Sequence, residues 1–387
     1  MAQESGGVEL VVWTKSLHGT IAGKPVQVTL QATGERITGS YCYEPCASRD
    51  QAILLNGTQQ NGKIALTETI ADKQGKQVAS GLWNLVLQRD SGKGTWAAPN
   101  GKKNQPIVLT ENKSDIHPFP YEIRVWASAE PGDGDDCSPP MISEIRLYKG
   151  NRLVQTLPTE SQGTCGMFLP EIVDLDFDDY PDLMLAQFLP AGPNIPYSYW
   201  RYDPKSQKMV DVTEEMSDVT SPNFDPAHKI IAVFWRASCC SHGVTTYAWQ
   251  GNHLVQVETA ESYLQPEMIN GKIAVCYIIP DYRDGRIEYP GAIYQKDKGL
   301  STAPANPENC NDTSPGDFLE RTYVQVWSDQ PPPAKLKLIR TEEVKWRKTT
   351  GDGGKPLYCP DIPVFNNGKI ERHLLKNPDQ CSDTPVE

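Results

Sequence analysis

Short runs of alternating apolar and polar residues recur from Val8 to Asn112, and turn residues end each of them. Successive side chains of a strand point to opposite faces, so these runs predict half-buried β-strands. Gly34-Glu35, Asn56-Gly57 and Asn61-Gly62 supply predicted turns, and Asn-Gly between alternating runs favours a tight hairpin. The clearest runs are residues 26–30, 36–43, 52–55, 63–69, 81–88 and 94–97. Seven or eight strands at roughly ten-residue spacing predict a small β-sandwich or barrel.

A weak internal repeat follows this region. An aromatic strand, a polar turn and an apolar strand recur at residues 144–156, 199–211 and 246–257. The spacing of about 50 residues lies within the range of propeller blades. Residues 272–279 and 323–327 could begin further blades. The pattern favours a β-propeller-like domain, although any β meander would give something similar.

We therefore expect an all-β chain in three parts. Residues 1–115 form an N-terminal β domain, residues 116–345 a β-propeller-like calcium-binding domain, and residues 346–387 a C-terminal disulfide-linked tail packed on the propeller. Pro-rich stretches at 303–307 and 331–334 predict loops. Helix signals are scarce, and only residues 211–217 favour one or two helical turns.

Five aspartates stand within nine residues between two apolar, strand-like runs. Their alternation suits a hard cation, because Ca²⁺ takes six to eight oxygen ligands in a flexible geometry. The spacing is typical of the calcium loop of β-propeller repeats, except that Asp179 stands where that pattern prefers Gly. The alternative is an acidic surface turn whose charges nothing neutralises. The predicted ligands of a structural Ca²⁺ are the side chains of Asp174, Asp176, Asp178 and Asp182 and the carbonyl of Tyr180.

The formal net charge of −12 argues against a nucleic-acid partner and favours a cationic one. No apolar run approaches the length of a membrane span. Ten cysteines indicate an oxidising compartment, and we expect an exported, periplasmic protein whose signal peptide is absent from this sequence. Sequons at Asn56, Asn112 and Asn311 keep a eukaryotic secreted protein open. Proximity suggests three disulfides, whose connectivity stays open: Cys42 with Cys46, Cys137 with Cys165, and Cys359 with Cys381.

Two further stretches could carry chemistry. Residues 236–243 contain adjacent cysteines, serines and a histidine, but a reactive thiolate needs a specific electropositive site, and adjacent cysteines more often belong to disulfides. We expect a structural or partner-facing loop there. Residues 133–136 and 281–288 could bind a second ion, and solvated turns are the favoured interpretation. No phosphate loop, zinc signature or nucleophile elbow is present.

A rigid loop rich in Pro and Gly, residues 189–196, precedes three aromatic residues. Tyr and Trp are typical binding anchors, and a rigid loop loses little entropy when it is immobilised. Alternation would place Tyr197 and Tyr199 on one face of a strand and Trp200 on the other. The loop with Tyr197 is therefore a candidate interface, and the alternative is that these aromatics pack into a core.

Residues from about 165 to 260 resemble the calcium-dependent periplasmic immunity proteins that inhibit lysozyme-like antibacterial effectors. The shared elements are the Asp174–Asp182 loop, Leu189-Pro-x-Gly-Pro-Asn194, the Tyr-x-Tyr-Trp hairpin, Pro222-x-Phe-Asp225, Arg236-x-Ser238, His242-Gly243 and Tyr247-x-Trp-Gln250. The pairs Gly81-x-Trp83 and Gly94-x-Trp96 also look like the β domain that precedes such modules. The resemblance implies a calcium-containing β-propeller and inhibition by an aromatic loop inserted into the effector's cleft. The C-terminal region and Cys239-Cys240 fall outside the pattern, so the target can differ from the family's usual one.

We expect a non-enzymatic immunity protein that binds a secreted toxin, a peptidoglycan hydrolase or another cell-envelope toxin. The predicted partner-binding residues are Tyr197, Tyr199, Asn194, Arg236 and His242. A calcium-stabilised adhesion or scaffold module is one alternative, and a propeller hydrolase with a catalytic metal is another.

Overall fold

The computed structural model describes residues 6–46, 48, 51–88, 90–132, 139–163, 166–238, 241–289, 293–295, 299–301, 310–311, 323–328, 337–366 and 369–386. Within these residues the chain is built from β-strands and two short 3-10 turns, Asp352–Gly354 and Pro378–Gln380, so the predicted all-β class is confirmed. Residues 211–217 form turns, with one helix-like bond from the Met216 N–H to the Val212 carbonyl (3.0 Å). The described residues contain no helix that is both long and apolar enough to cross a membrane.

The chain divides into two compact units. The first comprises Met1–Pro190 and Ile195–Ser217, and the second comprises Ala191–Asn194 and Asp218–Glu387. This division differs from the expected boundaries at residues 115 and 345.

The first eight strands form a closed antiparallel barrel. Each strand pairs with the next, and Leu17–Ile21 of the first strand pairs with Ile107–Glu111 of the eighth, which closes the sheet. Closure removes the free edges that would otherwise template aggregation. The strands are β1 Val8–Ile21, β2 Lys24–Thr33, β3 Arg36–Tyr43, β4 Ile53–Gln60, β5 Lys63–Ala71, β6 Gln77–Leu87, β7 Ser91–Ala97 and β8 Gln105–Glu111. Of the two predicted architectures for this region, the structure has the barrel.

One predicted turn is wrong. Asn56-Gly57 lies inside β4, whereas Asn61-Gly62 makes the β4–β5 turn with both residues at positive φ (52° and 75°). Gly57 is required for another reason, since a Cβ there would lie 1.9 Å from the Ala65 carbonyl oxygen of the adjacent strand. The same dipeptide therefore serves a close strand approach in one place and a left-handed turn in the other.

The barrel interior is apolar except for one carboxylate, Glu68, which is 5% exposed. It accepts hydrogen bonds from the Tyr41 hydroxyl (2.8 Å), the Ser80 hydroxyl (2.7 Å) and the indole N–H groups of Trp83 (3.2 Å) and Trp96 (2.8 Å). A buried polar group is tolerated when it is hydrogen-bonded in this way. Glu68, on β5, therefore holds together side chains from three other barrel strands, β3, β6 and β7.

Replacement of Glu68 with Ala is expected to destabilise the protein by about 3–5 kcal/mol, because it leaves several buried donors without an acceptor. Glu68→Gln retains one acceptor oxygen and is expected to cost about half as much. Urea unfolding followed by tryptophan fluorescence measures both changes. Equal stability of the Ala variant and the wild type would show that the four donors find other partners.

A second sheet of the first unit continues from β1. Val8–Val12 of β1 pairs with Ile123–Ala127, so β1 belongs both to the barrel and to this sheet. The added strands are β9 Glu122–Ala127, β10 Ile142–Lys149 and β11 Arg152–Ser161. A separate four-stranded antiparallel sheet follows in chain order, made of β12 Glu171–Val173, β13 Asp182–Ala186, β14 Tyr197–Asp203 and β15 Lys208–Asp211.

These two sheets share one apolar core. Val125 and Leu147 pack in the same cluster as Leu183, Leu185 and Trp200, all at most 1% exposed. The side chain of Gln155 on β11 bonds both backbone groups of Met209 on β15, at 2.8 and 2.9 Å. The link satisfies polar groups at the outer strands of both sheets. The Asp174–Asp182 segment is thus the β12–β13 connection of a sheet whose strand β13 is buried along its whole length.

The second unit contains another four-stranded antiparallel meander and a mixed sheet. The meander strands are β16 Pro222–Asp225, β17 Ile230–Ser238, β18 Ser241–Gln250 and β19 His253–Glu261. Strands β20 Tyr263–Ile269 and β21 Lys272–Ile278 lead the mixed sheet. The remaining strands are β22 Asp281–Arg283, β23 Arg286–Glu288, β24 Ile293–Gln295, β25 Gly299–Ser301, β26 Cys310–Asn311, β27 Tyr323–Ser328, β28 Lys337–Glu343, β29 Lys345–Thr350, β30 Pro356–Asn366 and β31 Lys369–Leu374. Since β29, β30 and β31 join β20 in one sheet, the predicted tail contributes strands to it.

Two suggested disulfides are confirmed, Cys42–Cys46 and Cys359–Cys381. A third, Cys276–Cys310, joins β21 to β26 and was not predicted. The suggested Cys137–Cys165 pair lies outside the described residues.

Candidate functional site

The β12–β13 loop is built around Asp182, the first residue of β13, whose side chain is fully buried. Its Oδ2 accepts the backbone N–H of Leu175 at 2.7 Å, and its Oδ1 accepts that of Tyr202 on β14 at 2.7 Å. One carboxylate thus fixes the start of the loop to the strand that follows. Burial raises the pKa of Asp182 to about 8, although the two N–H groups act in the opposite direction.

Asp174 closes the loop from its other end. Its Oδ1 accepts the N–H of Asp178 at 3.1 Å, and its Oδ2 accepts the N–H of Asp179 at 3.0 Å. Asp179 adopts a left-handed conformation, with φ of 68°, at the position where the propeller pattern prefers Gly. The chain therefore coils tightly around the carboxylate of Asp174.

Asp176 points into the same space and is incompletely satisfied. Its Oδ2 lies 3.3 Å from the Arg201 guanidinium, whereas its buried Oδ1 has no hydrogen-bond partner among the described residues. Burial, and then the charge of Asp178, raise the pKa of Asp176 to about 6. Oxygens of Asp174, Asp176 and Asp182 lie within 4.8 Å of one another. Three carboxylates thus converge on one point with a single guanidinium beside them.

This donor set fits a calcium ion. All its atoms are carboxylate oxygens, which Ca²⁺ prefers, and the loop brings them together without help from a distant segment. The orphaned Oδ1 of Asp176 is a buried acceptor that such a cation would satisfy. Bound there, Ca²⁺ would supply positive charge where three anions meet, and its role would be structural. The side chains that would hold it are Asp174, Asp176 and Asp182.

Two predicted ligands have other contacts. Asp178 is exposed, and its Oδ1 accepts the backbone N–H of Tyr180 at 2.9 Å, so it caps the turn beside the converging oxygens. The Tyr180 ring lies 4.8 Å from the His117 ring and 6.0 Å from the Tyr202 ring, measured between centroids. Tyr180 thereby anchors the loop to neighbouring parts of the first unit, which the spacing of aspartates did not indicate.

Tyr199 is fully buried, so its prediction as a partner-binding residue is wrong for the structure as it stands. It does share a face with Tyr197, as alternation indicated, because their ring centroids lie 5.9 Å apart. That face is covered at Tyr199 and half-exposed at Tyr197. Of the two tyrosines, only Tyr197 is accessible to a partner.

The most exposed large apolar side chains near the rigid loop were missed by the sequence analysis. Phe188 is 52% exposed and Leu189 is 46% exposed, immediately before Pro190. The Gln187 N–H donates to the Pro196 carbonyl (2.9 Å) and the Gln162 N–H to the Gln187 carbonyl (2.8 Å), so the backbone beside Phe188 is fixed. The sequence signal that could have identified them is a pair of adjacent apolar residues at the end of a strand, outside its alternating pattern.

In the second unit, Asn194 has a structural contact. Its side-chain amide bonds both backbone groups of Arg236, with N···O distances of 3.1 Å in each direction. The Arg236 guanidinium donates to the Ser238 carbonyl at 2.9 Å. Asn194 therefore acts like one residue of an added strand beside β17, and its amide is engaged.

His242 belongs to a small polar cluster. Its Nδ1 lies 2.6 Å from the Tyr277 hydroxyl, which lies 2.6 Å from the Ser262 hydroxyl, and the His242 N–H donates to that serine at 3.0 Å. Burial and the charge of Arg236 lower the pKa of His242. Cys239 and Cys240 lie outside the described residues, so the pairing expected for them stays a prediction.

The 281–288 hairpin neutralises its own carboxylates. Asp281 accepts from Arg283 at 2.8 Å, and Glu288 accepts from Arg286 at 2.7 Å. These contacts agree with a solvated turn rather than a second cation site. Residues 133–136 lie outside the described residues.

Comparison with known proteins gives one family match, to part of the second unit. Residues 264–385 match a family described as a domain of unknown function, DUF8339, which covers less than half of the chain. No curated protein matches the chain. A Xanthomonas type IV secretion system related protein of known structure is 14% identical, over 72% of this chain and 98% of that one, with a TM-score of 0.22. A candidate 6-phosphogluconolactonase from Bacteroides uniformis is 11% identical, over 87% and 93% of the two chains, with a TM-score of 0.21. TM-scores this low carry no argument about fold or function.

Proposed function

We propose that this chain is an exported, calcium-stabilised binding protein, and that it protects a cell as an immunity protein against a secreted cell-envelope toxin. The observation that carries the proposal is the convergence of Asp174, Asp176 and Asp182 around a buried, unsatisfied oxygen of Asp176. Phe188 and Leu189 follow strand β13 of the same sheet, and their exposed side chains stand on a backbone that is held by hydrogen bonds. A metal that stiffens this sheet would preorganise the loop for binding.

The partner we propose is a peptidoglycan hydrolase whose cleft receives the loop. An exposed Phe on a fixed backbone loses little conformational entropy on burial, which suits insertion into a pocket. The negative charge of the surrounding region, with 17 Asp and Glu against 7 Lys and Arg in residues 116–217, favours a basic partner. The anchor that we propose is Phe188, and Tyr197 is the accessible aromatic of the following strand.

We also propose that the four-stranded meanders are blades of a β-propeller. Strands β12–β15 and β16–β19 each form an antiparallel sheet in sequential order, as a propeller blade does. An experimental structure that places the meanders radially around a channel would support this arrangement, and a stacked sandwich would contradict it.

Calcium binding is tested directly by calorimetric titration of the metal-free protein. Wild type is expected to bind one Ca²⁺, and Asp176→Asn is expected to weaken binding by at least tenfold because it removes one converging charge. Asp179→Asn is the matched control, since its side chain is exposed, lies in the same loop and is outside the converging set. Equal losses in the two variants would show only a general charge effect and would contradict the site.

Partner binding is tested by capture of cell-envelope hydrolases on immobilised protein, with calcium and with chelator, followed by an inhibition assay on the captured enzyme. Phe188→Ala is expected to weaken inhibition by about 30-fold or more, which corresponds to about 2 kcal/mol for a buried anchor. Leu153→Ala, which truncates another exposed apolar side chain at 45% exposure, is the control and should leave inhibition unchanged. Turnover of cell-wall fragments by the purified protein alone would instead favour a hydrolase.

A further inference from the structure

The first unit contains a large groove that the proposed function does not use. Its volume is about 2610 Å³. Its lining includes Val8–Ser16 of β1, residues of other barrel strands, most of residues 112–122 and residues 167–172. Tyr197 also lines it. The groove therefore runs between the barrel and the sheet that holds the aspartate loop.

The groove has the dimensions of an extended chain. The nine consecutive β1 residues that line it span about 26 Å at the usual rise of 3.3 Å per residue of a strand. Edge strand β12 contributes to the lining, and its only strand partner in the described part of the chain is β13. The exposed Ile172 of β12 is 45% accessible and also lines the groove. An unpaired strand edge in a long groove suits a partner segment that is itself extended.

The lining of the groove is acidic. Seven Asp and Glu residues line it against three Lys and Arg residues. One of the cations, Lys15, is already paired with Glu111 of the neighbouring strand β8. Glu9 is likewise paired, with Arg124 at 3.0 Å and Arg146 at 3.1 Å, and Glu122 is paired with Arg124 at 2.7 Å. The remaining charge attracts a basic occupant.

Glu171 is the carboxylate best placed to recognise such an occupant. The register pairs Glu171 with Met184 and Ala186 with Tyr197, so Glu171 and Tyr197 lie on one face of the sheet, on either side of β13. Burial raises the pKa of Glu171, and Glu171 in turn contributes to a raised pKa of Tyr197. Glu171 makes no ion pair or side-chain hydrogen bond within the described residues. Glu171 is exposed and Tyr197 is half-exposed, so this face presents a carboxylate and an aromatic ring, and both groups attract Lys and Arg side chains.

We propose that the groove binds an extended, basic polypeptide segment, and that one Lys or Arg of that segment is held by Glu171 and Tyr197. The proposal goes beyond the immunity role, because here the protein receives a segment of its partner. It does not depend on the calcium site or on the Phe188 anchor. The occupant is a partner of opposite charge, since the lining repels a second acidic surface.

The test uses the full chain and a fluorescein-labelled nine-residue peptide of alternating lysine and threonine, with binding followed by fluorescence anisotropy. Glu171→Gln is expected to weaken binding by about fivefold, because it removes one exposed charge partner. Glu160→Gln is the matched control, since Glu160 is exposed on β11, lies outside the groove and loses the same charge. Non-specific attraction to an acidic protein would lower the two affinities equally.

Selective loss in Glu171→Gln, with no binding of a glutamate–threonine peptide, supports the proposal. Equal affinities of the two variants, or equal binding of the acidic peptide, would overturn it. A wild-type dimer that Glu171→Gln dissociates would also overturn it, because the occupant would then be a second copy of the chain. Loss of inhibition in Phe188→Ala with unchanged peptide binding would separate this groove from the site of the proposed function.

Discussion

Chelation of calcium is expected to lower the midpoint of thermal unfolding by about 5–10 °C. A ligand present at 100 times its dissociation constant stabilises the folded state by about 2.7 kcal/mol, and each kcal/mol moves the midpoint of a unit of about 200 residues by about 2–4 °C. Differential scanning calorimetry with added calcium and with EGTA measures the shift. The physical cause is the repulsion among Asp174, Asp176 and Asp182, which a bound cation replaces with attraction.

Two controls make the result specific. Asp179→Asn should retain the full shift, whereas Asp176→Asn should retain at most about half of it, because an affinity weakened tenfold leaves about 1.4 kcal/mol of stabilisation at the same calcium concentration. Magnesium should give a smaller shift, since it demands a stricter octahedral geometry at shorter distances. A wild-type midpoint that is identical with calcium and with EGTA would contradict the calcium site, whatever the stability of the variants.

Asp182→Asn is expected to destabilise the protein by about 2–4 kcal/mol even in EGTA. An asparagine offers one acceptor oxygen where Asp182 offers two, so one buried N–H, of Leu175 or Tyr202, loses its partner. Asp176→Asn, by contrast, should cost little in EGTA because Oδ1 of Asp176 has no protein partner to lose. Urea unfolding of both variants with and without calcium separates these two effects.

Two results would contradict these roles of Asp182 and Asp176. If Asp182→Asn matched the wild type in EGTA and differed only with calcium, Asp182 would be a metal ligand and nothing more. If Asp176→Asn were destabilised in EGTA, the Arg201 ion pair at 3.3 Å would be its main contribution. Partly exposed ion pairs of this kind contribute little in most measurements, so a large effect is not expected.

Strand-forming segments could be predicted from the sequence because apolar and polar residues alternate with the same two-residue period as buried and exposed side chains in a half-buried strand. Seven or eight such runs predicted a β-sandwich or a barrel, and the choice between them depends on pairing between β1 and β8, about 90 residues apart, which no local pattern encodes. Asn56-Gly57 shows the limit of local rules. The Gly of this dipeptide suits a turn because of its conformational freedom, and it suits a central strand because it has no side chain. Whether the dipeptide forms a turn or lies in a strand depends on the neighbouring strand.

In the candidate site, too, some residues could be predicted from local spacing and others could not. The convergence of Asp174, Asp176 and Asp182 could be predicted because their spacing is local to one loop, and their role as calcium ligands stays a prediction. Tyr199 could not be assigned correctly, since a strand face that alternation marks as common to two residues can be covered at one and open at the other. Phe188 was overlooked because an apolar residue at the end of a strand can be buried or exposed, and its break from the alternating pattern does not distinguish the two.

Strand β1 determines how this protein can be cut or recombined. Its first five residues complete a sheet that the rest of the chain supplies from residue 122 onward, while its second half completes the barrel. A fragment that begins at residue 116 would lose an outer strand and expose the hydrogen-bonding edge of β9 to other chains. A fragment that ends at residue 115 would keep the barrel but leave Leu10 and Val12 without the core they pack against. The barrel therefore cannot be excised as an independent domain. Exchange of domains between related chains would succeed only if β1 were transferred together with both the barrel and the sheet that contains β9.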